Sequence, residues 1–473
     1  MALYSVQKRK QTMKLSVIEG SFYALMVGFA QYFITPFAVF LGLSNFSIGI
    51  MRSISTLVSG FGFYFANWFY KMNEKRKIFI SKYVLYQAYI LLLFPILIVL
   101  PFDKSIPLII FYSLFLFFGS LVSPIWTSLM SQVVLIKERG SYFGMRNKII
   151  GFFELGASLV AGSILTYFTN NPIIGFSLIF IFAALFRFIS SRLILKHWEP
   201  KKHLDSHKPN IEDILYMKDK YLRNLIMLGG GMLFATNIAG PFFAIFMLRD
   251  LNFSYLDFTI AIIASTLATN ISQPYWGKLI DRYGTRPVLF STAILIPFVP
   301  LLWIPAYNLS YIIAIQLFSG LVWAGFDLSV FNMLLKISPN NKTHVYSSLY
   351  NSVITFLTFL GMLFGSFMIY FIDSMTLGFL AGIQIIFLIS GILRFIVIAF
   401  TLPKITKEMQ VNSLSFFLKT ITVYPIKGII SEVEQSVLFA ESAIISSSKI
   451  IRNPVKVGKS IIKDLNSFLR QIV

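Results

Sequence analysis

"GKLIDRYGTRP", residues 277–287, sets Lys278, Asp281, Arg282 and Arg286 between two apolar runs, 256–276 and 287–306. Runs of that length decide the fold. About 20 helical residues, each rising about 1.5 Å, cross a hydrocarbon layer of about 30 Å. The rest of the chain has the same character. Of its 473 residues 56% are hydrophobic and 13% charged, with 50 phenylalanines and a mean hydropathy of +0.74. A water-soluble domain has too little interior to bury that much apolar surface, so lipid is the expected solvent.

Twelve such runs can be marked: 16–42, 47–70, 78–100, 106–131, 146–169, 173–196, 222–248, 256–276, 287–306, 309–336, 345–371 and 377–402. They are continuously apolar, without the period-two alternation of barrel strands, which predicts helices. The first follows Lys8, Arg9, Lys10 and Lys14 and is too long for a signal-peptide core, so a retained span is expected. A net charge of +21 would suit a nucleic-acid binder, but the basic residues gather in alternate loops: 8–14, 71–82, 137–148, 192–223, 278–286, 336–342 and the tail after 403, with Arg52, Lys104 and Arg249 as the exceptions. That alternation follows the positive-inside rule. It predicts a multi-pass protein of the cell membrane with both termini cytoplasmic, attracted to the anionic inner leaflet of the bilayer, and no nucleic-acid partner. The absence of cysteine excludes disulfides and thiolate metal sites.

The chain also repeats itself. "PFAVFLGLSNFS" (36–47) reads against "PFFAIFMLRDLNFS" (241–254), "YFGMRN" (142–147) against "YSSLYN" (346–351), and "LFRFI" (185–189) against "ILRFI" (392–396), all offset by about 205 residues. The expected fold is an all-α membrane protein of twelve transmembrane helices in two pseudo-symmetric six-helix bundles. Its parts are an N-terminal cytoplasmic segment (1–15), a bundle (16–196), a cytoplasmic linker (197–221), a second bundle (222–402) and a cytoplasmic amphipathic tail (403–473). Two parallel halves joined by a basic linker are one known transporter architecture, with the binding site near the midplane where they meet.

Here the opening stretch gains its meaning. It resembles the G-x-L-x-D-R-x-G-x-[RK] loop of the major facilitator superfamily (MFS) and lies between spans eight and nine, where that family repeats the motif. The resemblance extends over residues 14–402. It implies the MFS fold and a secondary active transporter working by alternating access. It also implies a conformational latch built from Gly277, Asp281, Arg282, Gly284 and Arg286. The glycines would turn the chain at the membrane face. Asp281 would rest on the start of helix eleven, around Thr343 to Ser347, where unpaired N–H groups favour an anion. Arg282 and Arg286 would bridge to neighbouring helices while the cytoplasmic side is closed. The plainer alternative is topogenic charge in a tight turn. The first-half counterpart, "NWFYKMNEKRK" (67–77), has Asn67 at the first glycine position and Lys71 in place of the aspartate, so it lacks the anion.

Ionisable residues within spans are functional candidates, because a charge at mid-membrane costs about 2.5–3.5 kcal/mol on insertion scales. Asp327 in span ten and Glu154 in span five are the candidates for coupling transport to H+; a carboxylate paired to hold its half together is the alternative. Arg187 and Arg394, equivalent in the two halves, read as structural, and Glu19 and Arg52 as interface anchors near span ends. The resemblance implies that spans one, four, seven and ten line the cavity, flanked by two, five, eight and eleven. Candidate substrate contacts there are Gln31, Tyr32 and Trp126 in the first half. In the second half they are Asn237, Thr266, Asn270 and Gln273, with Trp323, Asn351 and Thr355. Each could equally join helices by interhelical hydrogen bonds. Together they suggest an amphipathic cavity for a small organic solute.

Other signals are weak. "NPVKVGKS" (453–460) misses the first glycine of a phosphate-binding loop. His203 and His207 have metal-compatible spacing but sit with His197 in a solvated linker, so no metal or cofactor is expected. No nucleophile–base pair stands out, so no enzymatic activity is expected, and the working unit is expected to be a monomer. The tail carries apolar residues at helical spacing. That leaves a rival reading: a transport-inactive MFS-fold sensor or scaffold signalling through the tail.

Overall fold

A computed structural model describes residues 2–70, 75–135, 139–199, 219–338, 343–373, 375–377 and 380–406. Among these, twelve helices are long and apolar enough to cross a membrane. In the first half they are Gln7–Phe40, Asn45–Ala66, Arg76–Val99, Ser105–Val133, Tyr142–Tyr167 and Pro172–Leu195, spans one to six. In the second half they are Lys220–Asp250, Tyr255–Tyr283, Thr285–Leu302, Leu309–Ile337, Leu349–Ile372 and Ile383–Ile405, spans seven to twelve. Among the described residues the fold is all-α apart from a two-residue antiparallel ladder, Thr376–Leu377 with Leu380–Ala381.

The packing is repeated. Span one lies on five and six, two on four, and three on four and six; span seven lies on eleven and twelve, eight on ten, and nine on ten and twelve. Residues equivalent in the sequence repeat make equivalent bonds. The Tyr142 hydroxyl donates to the Met13 carbonyl at 3.0 Å and the Tyr346 hydroxyl to Asp219 Oδ2 at 2.8 Å, each tying the fifth helix of its half to the start of the first. Arg187 donates to Gln87 of span three, and Arg394 to the Ile296 carbonyl of span nine, so both bases pair within their halves. Spans two and eight each start on a serine cap, Ser44 and Ser254, whose side chain accepts a backbone N–H three residues on. Spans one and seven each break near their prolines: a 3-10 turn at Gln31–Phe33 precedes Pro36, and span seven's first helix ends at Ala239, just ahead of Pro241.

Three boundaries differ from expectation. Residues 2–15, expected as a separate segment, are helical and continuous with span one. Gly277 does not turn the chain: it is helical, and span eight runs on to Tyr283. Gly284 alone makes the turn, at φ 87° and ψ 166°, and span nine begins at Thr285. The charged knot is thus largely the last turns of a helix, because "KLIDRY" continues the helical pattern and only Gly284 breaks it. Span twelve starts at Ile383 rather than 377, since the short ladder occupies the preceding residues.

Candidate functional site

The two halves meet along spans two and eleven, along five and eight, and where the far ends of one and seven converge. Opposite the basic loops the closure is polar and apolar together. Arg249 Nη1 donates to Asn45 Oδ1 at 2.6 Å and its Nη2 to the Leu43 carbonyl; Asn45 Nδ2 donates to Asp373 Oδ1 at 2.8 Å. Phe33 packs edge-on against Phe258, and the Leu256 N–H donates to Thr166 Oγ1 at 3.0 Å. Deeper contacts include Ser53 Oγ to the Phe359 carbonyl at 3.3 Å. Towards the basic loops, no extended interface joins span four to span ten among the described residues. The arrangement is closed on one face and open on the face that bears the basic loops.

The sequence candidates distribute around this opening. Glu154 Oε1 accepts a 2.5 Å hydrogen bond from the Tyr32 hydroxyl, which also lies within side-chain bonding reach of Thr266 in the other half. Spans one, five and eight therefore meet around the Tyr32 hydroxyl, which donates to Glu154 and reaches Thr266. Asn270 lies beside Gly151 of span five, about 4.0 Å from where a Cβ there would stand, and Gln273 is exposed one turn on. Asp327 is exposed on the facing wall. It lies within electrostatic reach of Tyr350, whose hydroxyl sits against Gly229 of span seven, which places the acid on the side of the opening. Trp323, one turn away, packs edge-on against Phe326. Asn351 is exposed; Thr355 bonds its carbonyl at 2.9 Å and approaches Gly60 of span two. Trp126 lies under the Arg146 guanidinium at 4.5 Å. Asn237 donates to the Leu233 carbonyl of its own helix at 2.8 Å, so it steadies the break before Pro241 and is spent there. Gln31 lies in the 3-10 turn, half-buried.

Asp281 and Arg282 are exposed, and among the described residues Asp281 makes no side-chain hydrogen bond or ion pair. Arg282 stacks over Tyr283 at 5.2 Å. Span eight packs on spans five and ten, so the expected docking of Asp281 on helix eleven is not made among the described residues. Lys71, the linker from 200 to 218 with His203 and His207, the 453–460 segment and the rest of the tail beyond Thr406 lie outside the described residues.

One cluster escaped the sequence. Glu19 is buried, not an interface anchor, because the first helix starts so early that Glu19 falls well inside it. Its Oε1 accepts from Ser190 Oγ at 2.8 Å. Arg187 donates to Gln87 Oε1 at 2.9 and 2.5 Å and lies over the Tyr23 ring at 4.9 Å; Arg146 donates to Ser16 Oγ at 3.2 Å. Both arginines lie within electrostatic reach of Glu19. Arg52 likewise turns inward, donating to the Tyr112 hydroxyl at 2.9 Å. The usable signal was topological: in a repeat that brings spans one, five and six together, their unpaired charges belong together.

This architecture defines a class: a multi-pass membrane protein of two six-helix halves around a central opening. The sequence pattern of the Major Facilitator Superfamily matches residues 225–455. The proton-coupled antiporter flippase LtaA of Staphylococcus aureus (strain USA300) is 25% identical over 320 residues, covering 63% of this chain and 74% of that protein. Among solved structures, a bacterial homologue of the iron transporter ferroportin in an inward-facing state superposes with a TM-score of 0.64 at 13% identity, covering 84% of this chain and 99% of that one. The nucleoside transporter NupG superposes with a TM-score of 0.61 at 14% identity, covering 82% and 98%. The Major Facilitator Superfamily pattern thus lies in the second half of the chain, and the fold of both halves is that of these transporters.

Proposed function

We propose that this protein is a secondary active transporter of an amphipathic small organic solute, driven by protons through Glu154 and Asp327. The observation that carries the reading is the Tyr32–Glu154 bond at the seam between halves, with Thr266 of the second half beside it. Tyr32 and Glu154 both belong to the first half, so proton or solute occupancy of the carboxylate acts across the seam by redirecting the Tyr32 hydroxyl between Glu154 and Thr266, which is what coupling requires. Asp327 offers a second acid on the opposite wall. Aromatic and amide side chains between them suit a solute with both apolar and polar parts. The likeness to a proton-coupled antiporter supports proton coupling and favours exchange. Asp281, Arg282 and Arg286 act as the latch that forms when the basic-loop face, read as cytoplasmic, closes.

The test is proton flux in proteoliposomes containing a pH dye, challenged with pooled organic solutes. Wild type should give a solute-dependent pH change, and Glu154→Gln and Asp327→Asn should each lose it. Equal responses from all three proteins would remove both acids from the coupling. Solute uptake without any pH change would replace coupled transport with facilitated diffusion.

A further inference from the structure

On the basic-loop face, the first helix, the start of span three and the residues after span six enclose a cavity of about 370 Å³. Among the described residues, four lysines line it, Lys8, Lys75, Lys77 and Lys196, against one carboxylate, Glu199. One oxygen of that carboxylate is engaged by Arg76: Glu199 Oε1 accepts from Arg76 Nε at 3.0 Å and from the Arg76 backbone N–H at 3.0 Å, while Oε2 is buried without a hydrogen-bond partner among the described residues. Arg76 is itself fully buried and anchored on Gln132 Oε1 at 2.7 Å and the Ser128 carbonyl at 3.1 Å. The wall is therefore fixed. Thr12, also buried, accepts the Trp198 N–H at 2.9 Å, and Lys77 Nζ donates to the His197 carbonyl at 3.0 Å. His197 lines the cavity fully buried, with neither ring nitrogen in a well-formed hydrogen bond. Lys75 and Lys196 are exposed, and their ammonium groups make no hydrogen bond or ion pair among the described residues.

The charge is unbalanced in one direction, and the shape is formed before any ligand arrives. Span three begins at Arg76 and span six ends at Leu195, so the cavity lies just beyond the span ends, at the level of lipid headgroups. Its volume is at the low end for small-ligand sites. Lysine ammonium groups bind phosphate as point charges, without the geometric demand of a guanidinium fork. We propose that this cavity binds a phosphate-bearing anion, supplied either by a lipid headgroup of the adjacent leaflet or by a soluble phosphate compound. Bound there, the anion would brace the first helix, span three and the start of the linker together.

The experiment follows thermal unfolding of the full-length protein in detergent at constant ionic strength. One arm titrates short-chain phosphatidylglycerol and the other inorganic pyrophosphate. Wild type should show a saturable rise in Tm with at least one of them. Each lysine beside a phosphate contributes about fivefold in affinity, so Lys75→Gln with Lys196→Gln should weaken the response about thirtyfold. Both side chains are exposed, so folding is not at stake. Arg192→Gln with Lys404→Gln removes the same charge from exposed positions outside the cavity and should leave the affinity as in wild type. A response to the lipid alone assigns the headgroup, and one to pyrophosphate alone assigns a soluble ligand. No saturation in either arm would overturn the proposal. So would equal weakening in the two double variants, or wild-type affinity in the lysine variant.

Discussion

Tyr32 and Glu154 are 122 residues apart in the chain, yet they share a 2.5 Å hydrogen bond. Hydrogen bonds to a charged group contribute about 1.5–3 kcal/mol. Tyr32→Phe should therefore reduce solute-driven proton flux in proteoliposomes by roughly tenfold or more. Undiminished flux would make the bond structural. The buried first-half cluster behaves differently. Gln87→Leu strands the Arg187 guanidinium and should lower stability by about 1.5–3 kcal/mol, seen as a fall in apparent Tm. His197 gives a pH test. Burial first, then Arg146 and Lys77, hold its pKa down at about 4 against an ordinary 6.5. The folded chain thus favours the neutral ring. Its contribution is whole above about pH 6.5 and is lost as pH falls towards about 4, amounting to about 3 kcal/mol. His197→Leu should flatten that part of the stability profile; an unchanged acid limb would contradict it. Among these groups, Glu154, Asp327 and Tyr32 were legible in the sequence because each is a costly polar group inside an apolar run. Glu19 and the Arg76–Glu199 pair were not. Glu19's depth depends on where the first helix starts, and "KRK" at 75–77 looks the same whether solvated or buried.

At the scale of the element, the opening motif divides at Gly284. Its backbone lies where only glycine is comfortable, so Gly284→Ala should cost about 1–3 kcal/mol and disturb the turn between spans eight and nine. Gly277 is helical with open space where a Cβ would stand. Gly277→Ala should raise stability by up to about 1 kcal/mol, since alanine is the better helix former. Thermal unfolding of both variants in detergent separates the two roles; equal losses would restore Gly277 to the turn. The twelve spans themselves were legible because apolar length is a strong signal and lipid permits few alternatives. Their ends were not, because helices two and eight stop or continue according to caps and polar turns that hydropathy does not register. The repeat was legible too, and Tyr142 with Tyr346 shows why: both serve the same bond in their halves.

For the whole molecule, the two faces are linked by the pseudo-symmetry of the halves. The face opposite the basic loops is held by Arg249, Asn45 and Asp373. Loss of a charge-assisted bond there is worth about a tenfold shift in population. Arg249→Ala should therefore populate the conformer open on that face. Alternating access predicts that the gap between spans four and ten closes as that face opens. The chain has no cysteine, so labels on Thr127→Cys and Leu335→Cys, both exposed, would be unique. The decisive measurement is the distance distribution between spin labels at these two positions in lipid, at about pH 4, where ordinary carboxylates are about half protonated, and at about pH 8, where they are ionised. Two distances should be present, with their ratio changing between the two pH values, and Glu154→Gln with Asp327→Asn should abolish the change. A single distance that neither pH nor Arg249→Ala alters would contradict the account.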